Sequence, residues 1–184
     1  MRTILGSIDC ETGGLNPLTN SILSFCIVPL NPFTFEPCKD IPILELFMHE
    51  PTLTVEPNAL RINKLFSYQK HATYKDCFLK FLEYCSKYKI THIEPLGHEL
   101  DFDFSFMQFW LGPVEMRKIF TRVKRDTRRL AQVLIDAELY GGNTNLGDLC
   151  SAFDITIDAH TSIGDATAVS NLYPKMIQRL KGKH

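Results

Sequence analysis

The sequence predicts a mixed α/β fold in which one five-stranded sheet is flanked by helices. Three observations lead to this fold class. Short β-favouring runs dominate the first 50 residues, strand and helix patterns alternate after residue 70, and 45% of the 184 residues are hydrophobic, which is enough for a sizeable core. We therefore predict one domain over residues 1–184.

Five short β-favouring runs bounded by turn residues are interpreted as the strands. They cover 3–9, 22–28, 43–49, 91–97 and 119–124. Because the first two are separated by a turn-rich stretch over 12–17, we expect them to pair as an antiparallel hairpin.

Helices are predicted from apolar periodicity and capping residues. Residues 74–87 repeat apolar side chains on one face. A second helix should be capped by Asp126-Thr127, a short one should cover 145–153, and the last should begin at Gly164 and be kinked or split by Pro174. The predicted buried stripe of the second helix is Leu130, Val133, Leu134 and Ala137.

Charge and cysteine content exclude several classes of protein. The 20 Lys and Arg residues balance 21 acidic ones, so the overall charge does not indicate a nucleic-acid binder. The six cysteines contain no C-x-x-C pair, which favours reduced core thiols over a zinc site or disulfides. No apolar run is long enough to span a membrane and no signal-peptide core is present, so we expect a cytoplasmic protein without membrane contact.

One local charge cluster stands out against this balance. Residues 117–129 contain seven basic side chains and the single acid Asp126. Such a stretch can follow the phosphates of a nucleic acid. A solvated face and a protein-binding patch remain open as alternatives.

The first acidic candidate site is Asp9-Cys10-Glu11, at the end of the first predicted strand. Residues two apart on a strand project to the same side, so their carboxylates can share one cation, and Mg²⁺ prefers oxygen ligands. A simple charge pair at the end of a hairpin explains these two acids equally well. The similar pair Asp136 and Glu138 is interpreted as solvated surface because it falls on a predicted helix.

Two further candidates lie at helix starts. Asp101 and Asp103 follow a strand-to-helix junction, where either acid alone is most simply a helix cap. His160 precedes Asp165 by five residues, so the histidine can lie over whatever that acid binds. Taken singly, the two would be a surface histidine and another helix cap.

Taken together, the three segments resemble the DEDDh exonucleases of the DnaQ-like family. The first motif of that family, D-x-E-T-x-G-L, corresponds to Asp9, Glu11, Thr12, Gly14 and Leu15. The second, H-N-x-x-F-D, corresponds to His98, Phe102 and Asp103, and the third, H-x(4)-D-A, to His160, Asp165 and Ala166. One departure is Glu99, where the family usually has Asn.

The resemblance implies a ribonuclease-H-like fold and a metal-dependent nuclease. It implies that two Mg²⁺ or Mn²⁺ ions are held by Asp9, Glu11, Asp103 and Asp165, whose mutual repulsion gives a physical reason for bound cations. His160 is then the general base that accepts a proton from the attacking water, since a neutral imidazole is available near physiological pH.

The resemblance also implies a set of substrate-binding residues. Gly13 and Gly14 let the backbone approach a nucleotide closely, and Leu15 matches the wedge against the terminal base, with local packing as the alternative. His98 would orient the second motif or face solvent. Residues 57–63 resemble the loop that lies along the terminal nucleotides. The complete set is Thr12, Gly13, Gly14, Leu15, Ala59, Leu60, Asn63, His98 and Phe102.

The leading hypothesis is therefore a 3′–5′ exonuclease that acts on single-stranded DNA or unpaired 3′ ends and releases nucleoside 5′-monophosphates. The alternatives are an RNA-trimming exoribonuclease or oligoribonuclease, and a non-catalytic module that binds nucleic acid or a polymerase. Single-stranded 3′ ends are the expected partner, with a polymerase or another replication or repair protein as a second one. Only 181–184 follow the last predicted helix, so we expect no long polymerase-binding tether.

Overall fold

The computed structural model describes residues 2–182. Met1, Lys183 and His184 lie outside the described residues, and with them part of the C-terminal segment considered above. The elements in chain order are β1 Arg2–Thr12, β2 Ile22–Leu30, β3 Leu44–Phe47, α1 Pro57–Asn63, α2 Tyr74–Lys87, β4 Ile90–Gly97, α3 Leu100–Leu111, α4 Pro113–Ile119, β5 Arg125–Asp126, α5 Thr127–Asp136, α6 Leu146–Ala152 and α7 Ser162–Leu180.

The five strands form one mixed sheet in the order β3-β2-β1-β4-β5. The pairs β1–β2 and β2–β3 are antiparallel, which confirms the predicted hairpin, whereas β1–β4 and β4–β5 are parallel. The central strand β1 therefore ends at the same edge of the sheet as β4. This edge is where ligands of open α/β sheets usually bind.

Alternation along β1 separates two layers of core. Ile4, Ile8 and Cys10 face the core formed with α2, α3 and α4. Leu5 faces the opposite layer, where it packs with Ala166 of α7. Because side chains two apart share a face, Asp9 and Glu11 belong to the α7 side of the sheet.

The helices cover both faces of the sheet. The α2 prediction is confirmed over Tyr74–Lys87, and Asp126 caps α5 by accepting hydrogen bonds from the main-chain nitrogens of Arg128 and Arg129. A further cluster joins α5, α6 and α7 through side chains such as Leu134 and Leu172. Apolar layers therefore cover both faces of the sheet except near the ends of β1 and β4.

The predicted strand over 119–124 is wrong. Ile119 ends the helix α4, which starts with Pro113 in its first turn, and Phe120 forms only an isolated bridge with Ile93. The fifth strand is the short β5, which pairs with the end of β4. The apolar character of Ile119 and Phe120 reflects core packing at the end of a helix.

Two other local predictions differ from the structure. Residues 57–63 form the helix α1, with Pro57 in its first turn, where the fixed φ of proline favours a helix. The last helix starts at Ser162, two residues earlier than predicted, and Pro174 lies within it without splitting it.

The predicted stripe of α5 is only partly correct. Leu134 is buried as expected and Leu130 is half-buried, but Val133 and Ala137 are exposed. Ala131 takes the buried position, because the buried face of α5, with Thr127, Ala131 and Leu134, is rotated relative to the predicted stripe. The pair Asp136 and Glu138 is exposed, as predicted.

The cysteine prediction is confirmed, since all six are buried free thiols. Within residues 2–182, none of the helices combines the length and the apolar character that crossing a membrane requires.

Candidate active site

Strand β1 brings two carboxylates to the open edge of the sheet. Asp9 is paired across the sheet with Cys26, and Glu11 with Ser24, so both lie directly over the surface that α7 covers. Ser7, on the same face, donates a hydrogen bond of 2.7 Å from its Oγ to the main-chain oxygen of Ala166. This bond fixes the first turns of α7 beside the two acids.

The start of α7 supplies the third carboxylate. Thr161 caps the helix by accepting a hydrogen bond from the main-chain nitrogen of Gly164. A side chain at Gly164 would overlap the main-chain oxygen of Asp158, so glycine is required for the preceding loop to fold against the helix. Asp165, the next residue, is thereby held in the first turn and faces β1.

The three acids converge on one point. One carboxylate oxygen each from Asp9, Glu11 and Asp165 lies within 4.8 Å of the others. The Oδ1 atom of Asp165 is buried and has no hydrogen-bond partner among residues 2–182. An unpaired buried carboxylate oxygen is costly, and a hard divalent cation is the partner that suits it together with the two neighbouring carboxylates. The donor set therefore fits a magnesium or manganese site.

Asp103 lies next to this group without joining it. Its Oδ1 accepts a hydrogen bond of 2.9 Å from the main-chain nitrogen of Cys10, and its side chain is 3% exposed. It approaches from α3, on the other side of β1. The structure thus brings the four predicted acids together around the end of β1, three of them with oxygens within 4.8 Å of one another and Asp103 hydrogen-bonded to the strand itself.

Crowding and burial raise the pKa of every acid in the group. Burial, followed by the charges of Asp103, Glu11 and Asp165, raises the pKa of Asp9 well above its usual value. Burial and then Asp165 raise the pKa of Glu11 to about 7, and burial raises the pKa of Asp103 to about 8 although the Cys10 amide opposes it. Without a cation, the group therefore retains protons near neutral pH.

His160 lies in the loop before α7. Its backbone is left-handed, with φ of 65°, and its side chain is exposed. Burial raises the pKa of Asp165, while the backbone and charge of His160 oppose that increase. The histidine is thus close to the third carboxylate.

The turn after β1 forms one wall of the site. Thr12 donates a hydrogen bond from its Oγ1 to the main-chain oxygen of Gly14, and its own main-chain oxygen accepts one from Nδ2 of the buried Asn63. Gly13 is bonded on both sides through its main chain. Leu15 is 82% exposed, so it is not packed onto the local core.

The other predicted substrate residues lie around this wall and at the start of α3. Ala59 and Leu60 are half-buried on α1, and Phe102 is partly exposed beside the ring of Phe106. Nδ1 of His98 lies 3.0 Å from Oγ1 of Thr127. Burial lowers the pKa of His98 to about 4, so this half-buried histidine is a neutral link to α5.

A cleft of about 320 Å³ opens beside Glu11 and contains a carboxylate that the sequence analysis missed. Glu45 of β3 lines this cleft together with Asn63 and the start of α7. It is paired with Cys26, the residue that is paired with Asp9 on the other side. Only the register of the edge strand brings Glu45 to this face, so no local signal in the sequence identifies it.

The fold neutralises most of the basic cluster over 117–129. Five of its seven cations form ion pairs with carboxylates: Lys118 with Glu115, Lys124 and Arg129 with Asp101, Arg125 with Glu94, and Arg128 with Glu99. Only Arg117 and Arg122 have no carboxylate partner within 2–182. The excess of positive charge in the sequence is therefore much smaller on the folded surface.

No protein-family model and no curated protein matches the chain by sequence. Solved structures do match by fold. The zinc-bound complex of E. coli exonuclease I with single-stranded DNA has a TM-score of 0.80 over 100% of this chain, at 13% identity. Exonuclease I from Methylocaldum szegediense gives 0.79 over 99%, at 15% identity, and the E. coli enzyme with a dT13 oligonucleotide gives 0.77 over 96%, at 14%.

The chain spans about two fifths of the length of these solved structures, 42%, 42% and 41% in the three cases. The shared region contains the five-stranded sheet and its flanking helices, in agreement with the strand order 3-2-1-4-5. At this identity the similarity establishes the fold alone. The expected ribonuclease-H-like architecture is therefore confirmed.

Proposed function

We propose that the protein is a divalent-metal-dependent 3′–5′ exonuclease that removes nucleotides from single-stranded DNA. The observation that carries the proposal is the convergence of Asp9, Glu11 and Asp165 within 4.8 Å, with a buried and unpartnered Oδ1 on Asp165. Three ionised carboxylates this close together are unfavourable without a cation, because each acid raises the cost of ionising its neighbours. It is favourable for cation binding.

Asp9, Glu11 and Asp165 would hold Mg²⁺ or Mn²⁺, and Asp103 would complete the ligand set for a second ion. The ions would supply Lewis-acid activation of a water and charge stabilisation at the leaving oxygen. The protein contributes the fixed positions: Ser7 anchors α7 to β1, and the main-chain nitrogen of Cys10 orients Asp103.

His160 is the proposed general base. Its exposed side chain, next to Asp165, can reach a water on the open side of the site. The water oxygen attacks phosphorus, its proton passes to the imidazole, and the bond from phosphorus to the 3′ oxygen of the preceding nucleotide breaks. The 3′ oxygen leaves with the bonding electrons and takes a proton from solvent. The products are a nucleoside 5′-monophosphate and a strand with a new 3′ hydroxyl, so the reaction can repeat.

The open surface near the site suits an unpaired strand end. The exposed Leu15 stands beside the wall formed by Thr12 and Asn63, where an apolar side chain can contact the face of a terminal base. The complexes of exonuclease I with single-stranded DNA support the choice of substrate for a chain of the same fold.

The decisive experiment is digestion of a 5′-labelled single strand in Mg²⁺ or in EDTA. We expect a ladder of products that shorten from the 3′ end in Mg²⁺, and no cleavage in EDTA or by Asp165→Asn. A matched control is Asp136→Asn, since Asp136 is an exposed acid on α5. Full activity in EDTA, early release of the labelled 5′ nucleotide, or cutting of a circular strand would contradict the proposal.

The same assay with an RNA strand of matched sequence tests the alternative substrate. Discrimination between DNA and RNA depends on contacts to the 2′ hydroxyl. If RNA is digested faster than DNA, the proposed substrate is RNA instead of DNA, and the proposed metal mechanism is unaffected.

A further inference from the structure

A pocket of about 410 Å³ lies between α3, α4 and the segment that leads to β5. Its floor is apolar, and the rings of Phe104 and Phe120 meet there edge to face with centroids 5.5 Å apart. Met116 completes the floor. Phe104 follows Asp103 directly in the chain. The pocket therefore begins on α3, the helix that carries Asp103, but on a different face of that helix.

The rim of this pocket is cationic. Arg117, Arg122 and Lys124 line it. Lys124 forms an ion pair with Asp101 and lies 4.3 Å from the centroid of the Phe104 ring, whereas the two arginines have no carboxylate partner in the described part of the chain. Of the seven cations of the basic cluster, the two that the fold leaves unneutralised thus both line one cavity. This charge pattern is complementary to an anion.

From these features we infer that the pocket, which lies outside the catalytic site, binds a nucleotide unit of the single strand. This inference rests on the proposed function. The two guanidinium groups would contact phosphates, for which their planar donors are well suited, and the base would lie against the apolar floor. Cationic rims beside apolar or aromatic surfaces are the usual means of holding single strands without sequence preference. The volume is that of an ordinary ligand pocket.

The test is binding of a fluorescein-labelled oligothymidylate of about 15 nucleotides, measured by anisotropy in EDTA so that no cleavage occurs. The variant is Arg117→Gln with Arg122→Gln. Two lost phosphate contacts should lower the slope of log affinity against log salt by about 1.4, and the affinity at about 0.1 M salt by roughly 25-fold. The matched control, Lys118→Gln with Lys87→Gln, removes two exposed cations that do not line the pocket.

A second measurement locates the base. Oligothymidylates with one photoreactive 4-thiothymidine should crosslink to the segment 104–122 of the wild type at one or a few positions of the strand, and much less to that of the double variant. Circular dichroism and thermal unfolding of both variants establish that they are folded.

The inference is overturned if the double variant binds with the wild-type affinity and salt slope, if the control variant loses as much, if the wild type does not bind the strand, or if crosslinks occur only elsewhere. Hydrolysis of the same strand in Mg²⁺ is measured separately. Normal hydrolysis with unchanged binding by the double variant refutes the pocket alone, whereas failure of the wild type to hydrolyse the strand refutes the proposed function.

Discussion

The four acids at the end of β1 should destabilise the metal-free protein at alkaline pH, and Glu11→Gln should remove part of that cost. The pKa of Glu11 rises from 4.5 to about 7 on folding, chiefly through burial. A carboxyl whose pKa is raised in the folded state binds more protons there than in the unfolded chain. The free energy of unfolding therefore falls as pH rises from the unfolded value through the folded one.

The size of the effect follows from the shift. At 1.36 kcal/mol for each pKa unit, the loss for Glu11 is about 3 kcal/mol once pH exceeds 7, and below about 1 kcal/mol at pH 5. In EDTA at pH 8, Glu11→Gln should thus be more stable than the wild type by up to about 3 kcal/mol. For a chain of this length, that corresponds to a melting temperature higher by roughly 6–12 °C.

Magnesium should reverse the order of stability. A ligand at 1,000 times its dissociation constant stabilises the folded state by about 4.1 kcal/mol, which exceeds the advantage of about 3 kcal/mol, and Glu11→Gln should gain much less of this stabilisation. The assay is thermal unfolding at pH 5 and pH 8, with EDTA or Mg²⁺. As a control, Gln at the exposed Glu83 should change stability by less than about 0.5 kcal/mol throughout. A Glu11→Gln variant less stable than the wild type at pH 8 in EDTA would refute the reasoning.

Three other predictions concern residues around the site. His160→Ala should lower kcat by about 10²–10⁴-fold without weakening Mg²⁺ binding measured by calorimetry, and an unchanged kcat would remove the histidine from the mechanism. Gly164→Ala should reduce stability and activity because the new methyl group meets the Asp158 carbonyl, whereas Gly147→Ala, which contacts only one atom at 4.0 Å, should be neutral or slightly stabilising in thermal unfolding. Asn63→Ala removes the hydrogen bond to the Thr12 carbonyl. The loss should cost about 1–3 kcal/mol of stability, because a buried group is left unpaired, and it should raise KM in the digestion assay. If the variant keeps both the stability and the KM of the wild type, this hydrogen bond does not position the turn after β1.

Several parts of the site follow from local rules in the sequence. Alternation along β1 predicts that Asp9 and Glu11 share a face, and the structure shows that face turned towards α7. The turn after β1 is marked by Gly13 and Gly14, and the first turn of α7 by Gly164. These features depend on neighbours in the chain, so pattern reasoning reaches them.

Other parts depend on pairings between distant segments. The strand β5 consists of Arg125 and Asp126, neither of which favours strands, and it exists because Leu96 and Gly97 of β4 present a free edge there. Glu45 reaches the cleft only through the register of β3 on β2. Neither a two-residue strand nor a strand register has a local signal in the sequence.

The basic cluster shows the same limitation for charge. Within 117–129 the sequence contains one acid, yet five cations are neutralised, four of them by carboxylates that precede their partner cations by more than twenty residues. Counting charges along the chain therefore overstates the field that a nucleic acid would meet. The fold reduces the candidate phosphate contacts to Arg117 and Arg122, which share one pocket.

Glu99, the one departure from the resembled motif, has a backbone that suits Asn better, and its ion-pair partner accounts for the Glu. It precedes α3 in a left-handed conformation with φ of 61°, where Asn is accommodated more readily than Glu. Its carboxylate forms an ion pair with Arg128 of α5, and its neighbours on both sides are also bonded to that region, His98 to Thr127 and the main-chain nitrogen of Leu100 to Asp126. The substitution therefore acts on how α3 is joined to α5. Asp103, one turn later, is held by the main-chain nitrogen of Cys10, so its position does not depend on a contact with the Glu99 side chain.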